Sequence, residues 1–198
     1  MRVVLATGNA GKIREFAEML GPLGLEFLPQ SHFGIEPPEE TGATFEANAL
    51  LKARHAAARS GLPALADDSG LEVDALGGAP GVRSARYAGE GAGDLANLHK
   101  LLAAMADIPQ DARGARFRCV IAFVRSGDDP SPLFGSGVWQ GRILDAPRGA
   151  GGFGYDPVFA PSGETRSVAE LASAEKHASS HRGAALRDLL AKWRTASS

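Results

Sequence analysis

Arg2-Val3-Val4-Leu5-Ala6-Thr7-Gly8-Asn9-Ala10-Gly11-Lys12 is the stretch that decides the fold. Val3 to Ala6 is an unbroken apolar run, the pattern of a strand covered on both faces of a sheet. Beyond the turn, Ile13, Phe16, Ala17 and Leu20 recur at i, i+3, i+4 and i+7, so an amphipathic helix follows, with Gly21-Pro22 as its stop. Between strand and helix, Thr7 to Lys12 places two glycines and a lysine at a helix N-terminus. Backbone N–H groups lack helical partners there and the helix dipole is positive, which is chemistry suited to phosphate. The turn is not a P-loop. Only two residues separate Gly8 from Gly11, and Ile13 stands where a P-loop has Ser or Thr. Nor does it read G-x-G-x-x-G, so a dinucleotide-dependent oxidoreductase lacks its fingerprint.

Strand and helix patterns go on interleaving outward from this unit. Leu25–Leu28 reads as a second strand and 31–44 as a loop. Thr44 is placed to cap an Ala- and Leu-rich helix over 45–59, ended by Ser60-Gly61. Residues 64–68 read as a strand ending in Asp67 and Asp68, with Ser69-Gly70 turning the chain. Leu71, Val73 and Ala75 then alternate with Glu72 and Asp74 as a separate half-buried strand. Leu95, Leu98, Leu101, Leu102 and Met105 mark a helix. Residues 116–124 give the strongest strand signal, with 133–144 as a partner after Gly127-Asp128-Asp129-Pro130. A glycine-rich loop spans 149–156, and Leu186, Leu189, Leu190 and Trp193 mark a last amphipathic helix. The class is α/β, the neighbouring strands at 116–144 pointing to a mixed sheet. No repeat or low-complexity tail divides the chain, so 1–198 reads as a single domain.

Composition removes several function classes. Lys and Arg total 21 against 23 Asp and Glu, a net charge of −2, so no basic excess exists to hold a nucleic acid. No apolar run approaches the roughly 20 residues of a membrane helix. One cysteine cannot form an internal disulfide, and a soluble, reducing, cytoplasmic setting is expected. Cys119 lies inside an apolar strand and reads as a buried structural thiol, while the histidines show no zinc-site spacing. Trp139 and Trp193 read as packing residues.

Four further segments carry chemistry. Asp67-Asp68 stands at a strand end, where α/β proteins place ligands; successive strand residues face opposite sides, so one carboxylate enters a site and the other supports it or faces another group. Such a carboxylate beside a phosphate site suits Mg²⁺, which prefers oxygen ligands, or orients a water. Glu39-Glu40 adds acids before the next helix, either for metal or to favour the helix start. Gly151-Gly152-Phe153-Gly154-Tyr155-Asp156 sets aromatics on a pliable backbone, suited to stacking on a planar base. Glu175-Lys176 and Ser180-His181-Arg182 bring basic groups six residues apart, which a helix break at Ser180 would let converge.

Taken together, TGNAGK at 7–12, EETGATFEANALLKA at 39–53, ADDSGLEVDALGGAPGVRSARY at 66–87, GGFGYDP at 151–157, AEK at 174–176 and SHRGAAL at 180–186 resemble the inosine triphosphate pyrophosphatase family in its bacterial branch. The resemblance covers almost the whole chain. It implies a long mixed sheet flanked by helices, two lobes with a central substrate cleft, and a homodimer. It implies hydrolysis of ITP, dITP and XTP to the monophosphate and pyrophosphate with Mg²⁺, cleansing the nucleotide pool. Carried over by position, Thr7, Gly8, Asn9, Ala10, Gly11 and Lys12 bind triphosphate. Asp68 is the catalytic acid and a metal ligand, with Lys12 assisting and Glu39 or Glu40 as second acid. Ser69, Phe153, Gly154, Tyr155, Asp156, Lys176, His181 and Arg182 contact substrate. Donors on Arg182, His181 or Lys176 aimed at C6 would accept an oxo purine and meet adenine's amine donor to donor. The alternatives are a nucleotide sensor without turnover and a Maf-like pyrophosphatase of different base preference.

Overall fold

The computed structural model describes residues 1–21 and 26–196. Strands β1 (Arg2–Leu5), β2 (Glu26–Pro29), β3 (Ala64–Val73), β4 (Gly114–Val124), β5 (Leu133–Ile143) and β6 (Phe159–Pro161) form one sheet in the order β2-β1-β3-β4-β5-β6. β1 runs parallel to both β2 and β3, whereas β5 and β6 are antiparallel, so the sheet is mixed as the sequence implies. Five α-helices accompany it among the described residues: α1 (Ala10–Leu20), α2 (Phe45–Ser60), α3 (Asp94–Ala104), α4 (Ser173–Ser179) and α5 (His181–Ala196). Pro22 and Leu25, expected to stop the first helix and open the second strand, lie outside the described residues.

Local chemistry sets the helix limits. Asn9 caps α1, its side chain accepting from the Lys12 amide at 3.0 Å. Thr44 caps α2 by accepting from the Ala47 amide at 3.1 Å, and Gly61 ends it in the left-handed conformation. Ser180 is extended between α4 and α5 and supplies the expected break.

One expectation is corrected. Ser69-Gly70 does not turn the chain; β3 runs unbroken from Ala64 to Val73, and the turn comes at Asp74–Leu76, closed by left-handed Gly77. β3 lies between β1 and β4 in the sheet. β1 pairs with β3 only at Ala64 and Leu65, so at Ser69-Gly70 it is the neighbouring β4 that offers ladder hydrogen bonds, and these override the turn preference of Ser-Gly. β6 was not expected, because three residues ending in proline are too short to show a period.

The chain forms two compact units, Met1–Asp68 with Cys119–Gly137 and Arg182–Ser198, and Ser69–Arg118 with Val138–His181. In the first, Val3, Leu5, Phe16, Leu20, Leu65, Ile121 and Leu189 form the core, and Trp193 packs on Phe123 with ring centroids 4.1 Å apart. In the second, Leu71, Val73, Leu101, Met105, Ile143, Val158 and Phe159 are its centre, with Trp139 8% exposed beside them. Each fully buried Leu, Ile or Phe contributes roughly 1.5–3 kcal/mol. No helix among the described residues is long and apolar enough to cross a membrane.

Candidate active site

The first unit gathers acids and cations around Asp67 and Asp68. β3 carries the two carboxylates in succession, so they meet different helices. Asp67, 1% exposed, is reached by Lys12 of α1 at 2.9 Å and by Arg182 of α5 at 3.4 Å. Asp68, 5% exposed, is reached from α2: Asn48 donates to it at 3.2 Å and the Lys52 ammonium lies at 2.9 Å. That ammonium also holds Glu40 at 2.6 Å. Glu39 is exposed, so of the two adjacent acids it is Glu40 that shares a cation with Asp68.

Packing fixes the approach of the acidic segment to α2. The Gly42 amide donates to Asn48 Oδ1 at 2.7 Å, and a Cβ on Gly42 would sit 2.5 Å from that oxygen. Glycine is required there because the backbone passes directly against the asparagine.

The two carboxylates are tuned apart. Burial works to raise the pKa of Asp67, but Lys12, Arg182 and Lys52 outweigh it and hold the carboxyl well below the usual range. Burial pushes Asp68 up, and Glu40 adds to that push against the opposing pull of Lys52. Burial works to lower Lys52, yet Asp68, Asp67 and Glu40 together raise it, so the lysine stays charged. A depressed folded pKa contributes stability above the unfolded value and loses it as pH falls. Stability should therefore hold to about pH 5 and decline below about pH 4, in an acid titration followed by circular dichroism. Asp67→Asn should flatten that decline.

Arg182 is 2% exposed and its guanidinium is taken by Asp67 and by Glu15 of α1. The sequence reading aims it at a purine; the structure places it in a buried ion network that shares Asp67 with Lys12. Cys119 stands 4.0 Å from Asp67, is buried as expected, and has its thiol pushed by burial up to about 12, the range of an inert thiol. Of the loop Thr7 to Lys12, residues Gly8, Asn9 and Ala10 are exposed, so the helix N-terminus is open to an anion.

The second unit holds the aromatic loop. Phe153 is half-buried, and its amide donates to Asp156 Oδ2 at 2.9 Å. Lys176 of α4 reaches that same oxygen at 2.7 Å and lies 4.9 Å from the Phe153 ring centroid. Tyr155 is buried, its hydroxyl donating to the Ser84 carbonyl at 2.8 Å, and burial raises its pKa. Tyr155 and Asp156 thus brace the loop that carries Phe153. His181 stacks on Phe117 with centroids 4.8 Å apart and planes 11° from parallel. Ser69 is half-buried on β3. Lys176 and Arg182, expected to converge across the break, have different partners: Asp156 and Phe153 for one, Asp67 and Glu15 for the other.

Lys52, Asn48 and Glu15 were missed from sequence. Asn48 and Lys52 are spaced i, i+4 on a face otherwise built of Ala49, Ala53 and Ala56, a polar pair in an alanine stripe that marks buried partners. Glu15 follows Lys12 by one helical turn, which is its signal.

A mixed sheet whose central strand carries buried carboxylates, paired with lysines of the flanking helices, defines an α/β enzyme with an ion-paired centre. Comparison with known proteins makes this specific. The chain belongs to the Ham1 family, which it matches over residues 3–192. It is 55% identical over 195 residues to a dITP/XTP pyrophosphatase of Yersinia pseudotuberculosis, covering 98% of this chain and 99% of that protein. A dITP/XTP pyrophosphatase of Escherichia coli strain K12 is 56% identical over 189 residues, 96% of each chain. Among solved structures, a HAM1 protein from Coxiella burnetii superposes with a TM-score of 0.89 at 48% identity, covering 98% of this chain and 99% of that one. A nucleoside-triphosphatase, dITP/XTP pyrophosphatase, from Mycobacterium abscessus gives 0.76 at 44% identity, covering 96% and 99%.

Proposed function

We propose that this chain hydrolyses dITP, XTP and ITP to the nucleoside monophosphate and pyrophosphate, by attack of water on the α-phosphorus. The observation that carries the reading is the buried Asp68 carboxylate, with its pKa raised, held at 2.9 Å by Lys52 in the same unit as the Lys12 anion loop. A carboxylate with a raised pKa is a better acceptor for the proton of an attacking water. The names of the relatives support the substrate class.

Thr7 to Lys12 is assigned to the triphosphate, through the amides at the start of α1 and the Lys12 charge. Lys12 and Lys52 offset charge that builds on the phosphoryl oxygens. The residues present fit a divalent cation: Asp68 and Glu40 already share one cationic group, Lys52, and oxygen donors suit Mg²⁺. Among the described residues no group of three or more His, Cys, Asp or Glu forms a cage, and Mg²⁺ is commonly held by one or two carboxylates with substrate phosphates. When bound, Mg²⁺ supplies neutralisation of phosphate charge. For the base, Phe153 is assigned stacking and Lys176, His181 and Ser69 contacts.

A panel of nucleoside triphosphates assayed with Mg²⁺ for pyrophosphate release tests the reading. Release from dITP, XTP and ITP well above that from ATP is expected; binding with no release would leave a sensor. Lys12→Met should lower kcat/KM for the triphosphate by roughly 10²-fold, the scale of one electrostatic donor, in a protein that keeps its circular dichroism spectrum. A cytoplasmic homodimer completes the proposal. Its supports are the family resemblance and the single buried thiol, and light scattering should give about twice the chain's 20.5 kDa.

A further inference from the structure

We propose that Asp94 is a positioning residue for purine binding: its carboxylate fixes the Gly154 amide and so sets the place of the Phe153 ring. The inference rests on the reading of Phe153 as the base-stacking residue.

Three consecutive residues of the loop are each tied down, by three different groups. The Phe153 amide donates to Asp156 within the loop, and the Tyr155 hydroxyl donates to the Ser84 carbonyl. Between them, the Gly154 amide donates to Asp94 Oδ2 at 2.8 Å across 60 residues of sequence. Gly154 has φ of +61°, a conformation that glycine holds without strain, and a Cβ there would meet open space. Gly154 has no side chain of its own to pack, and the hydrogen bond from its amide to Asp94 is the contact that ties it down. The peptide plane fixed by that bond precedes Tyr155 and follows Phe153 directly, so losing it frees the backbone on the C-terminal side of the aromatic ring.

Asp94 is well built for the task. It is the first residue of α3, where a carboxylate is favoured by the helix dipole. α3 is anchored in the same unit by buried Leu98 and Leu101, and by Asn97, whose side chain donates to the Ala85 carbonyl and accepts from the Ala88 amide. Asn97 thus ties α3 to the segment that carries Ser84, the holder of Tyr155. The loop is braced from one rigid block at two adjacent residues, one through a buried hydroxyl and one through an exposed carboxylate. An anionic acceptor forms a stronger bond than a neutral one, which compensates for its contact with water.

Asp94→Ala and Asp94→Asn separate this role from general upkeep of the fold. Asp94→Ala should raise KM for ITP about 10-fold with kcat within about twofold, and leave the affinity for inorganic pyrophosphate unchanged in calorimetry. Asp94→Asn, which keeps an acceptor oxygen, should recover most of the loss. Hydrogen exchange at the Gly154 amide should quicken in Asp94→Ala. Unaltered exchange, an unaltered KM, or equal weakening of ITP and pyrophosphate would each overturn the proposal. Failure of the underlying functional reading shows elsewhere, as wild-type protein that releases no pyrophosphate from ITP while the exchange effect at Gly154 persists.

Discussion

Asp68→Asn should cut turnover by at least about 10²-fold while the protein stays folded. The substitution keeps the shape and its one remaining oxygen can still accept from Lys52, while its new amide replaces the oxygen that accepts from Asn48; it removes the charge and the capacity to take a proton from water. Lys52 loses one of its two carboxylate partners and keeps Glu40, so the local structure has reason to survive. A thermal melt close to wild type with a collapse in pyrophosphate release is the expected pair of results. Near-normal release from folded Asp68→Asn protein would remove the residue from the chemistry. Asp67→Asn, by contrast, acts through Lys12 and should lower turnover less.

Arg182→Met should cost about 3–5 kcal/mol of stability, the usual penalty for removing one partner of a buried ion pair. For a chain of this size that is a fall in Tm of about 10 °C or more. Two acids depend on this guanidinium, and Glu15 is 8% exposed. Stripped of Arg182, a buried acid becomes harder to ionise and its folded pKa rises. A raised acid pKa costs stability at neutral pH, and the cost shrinks as pH falls toward the unfolded value. The gap between variant and wild type should therefore narrow between pH 7 and pH 5 in denaturant titrations. This outcome is distinct from the specificity role suggested by sequence, which would leave stability intact and narrow the ITP-to-ATP ratio. Measuring both in Arg182→Met assigns the residue.

What could be read from sequence depended on the range over which the physics acts. The turn between β1 and α1, the caps at Asn9 and Thr44, the break at Ser180 and the opposed faces of Asp67 and Asp68 are local consequences of dihedral preference and period, and all are present. The Ser69-Gly70 turn was misread because strand neighbours, invisible in one dimension, decide whether a turn-prone pair turns. Lys52 was missed because a lysine in a helix normally points to water; only its two acids, from a loop and from β3, make it worth burying. Arg182 was legible as a charged group near a helix break, but its partner Glu15 stands 167 residues away, a pairing no spacing rule can anticipate.

The adjacency of Asp67 and Asp68 makes β3 sensitive to a class of change that substitution tables ignore. β1 and β3 are aligned with Val4 opposite Ala64 and Leu5 opposite Leu65. Were β3 to shift by one position, its side chains would exchange faces, and the carboxylate that belongs to Lys12 and Arg182 would be delivered to Lys52 and Asn48. Ala66 would then take the place that faces Lys12 and Arg182, and that half of the centre would lose its carboxylate. Leu65 and Ala66 would trade sides in the core as well. The hydrophobic residues flanking the pair thus act as a reading frame for the two carboxylates, and an insertion or deletion within 64–73 displaces both kinds of residue together.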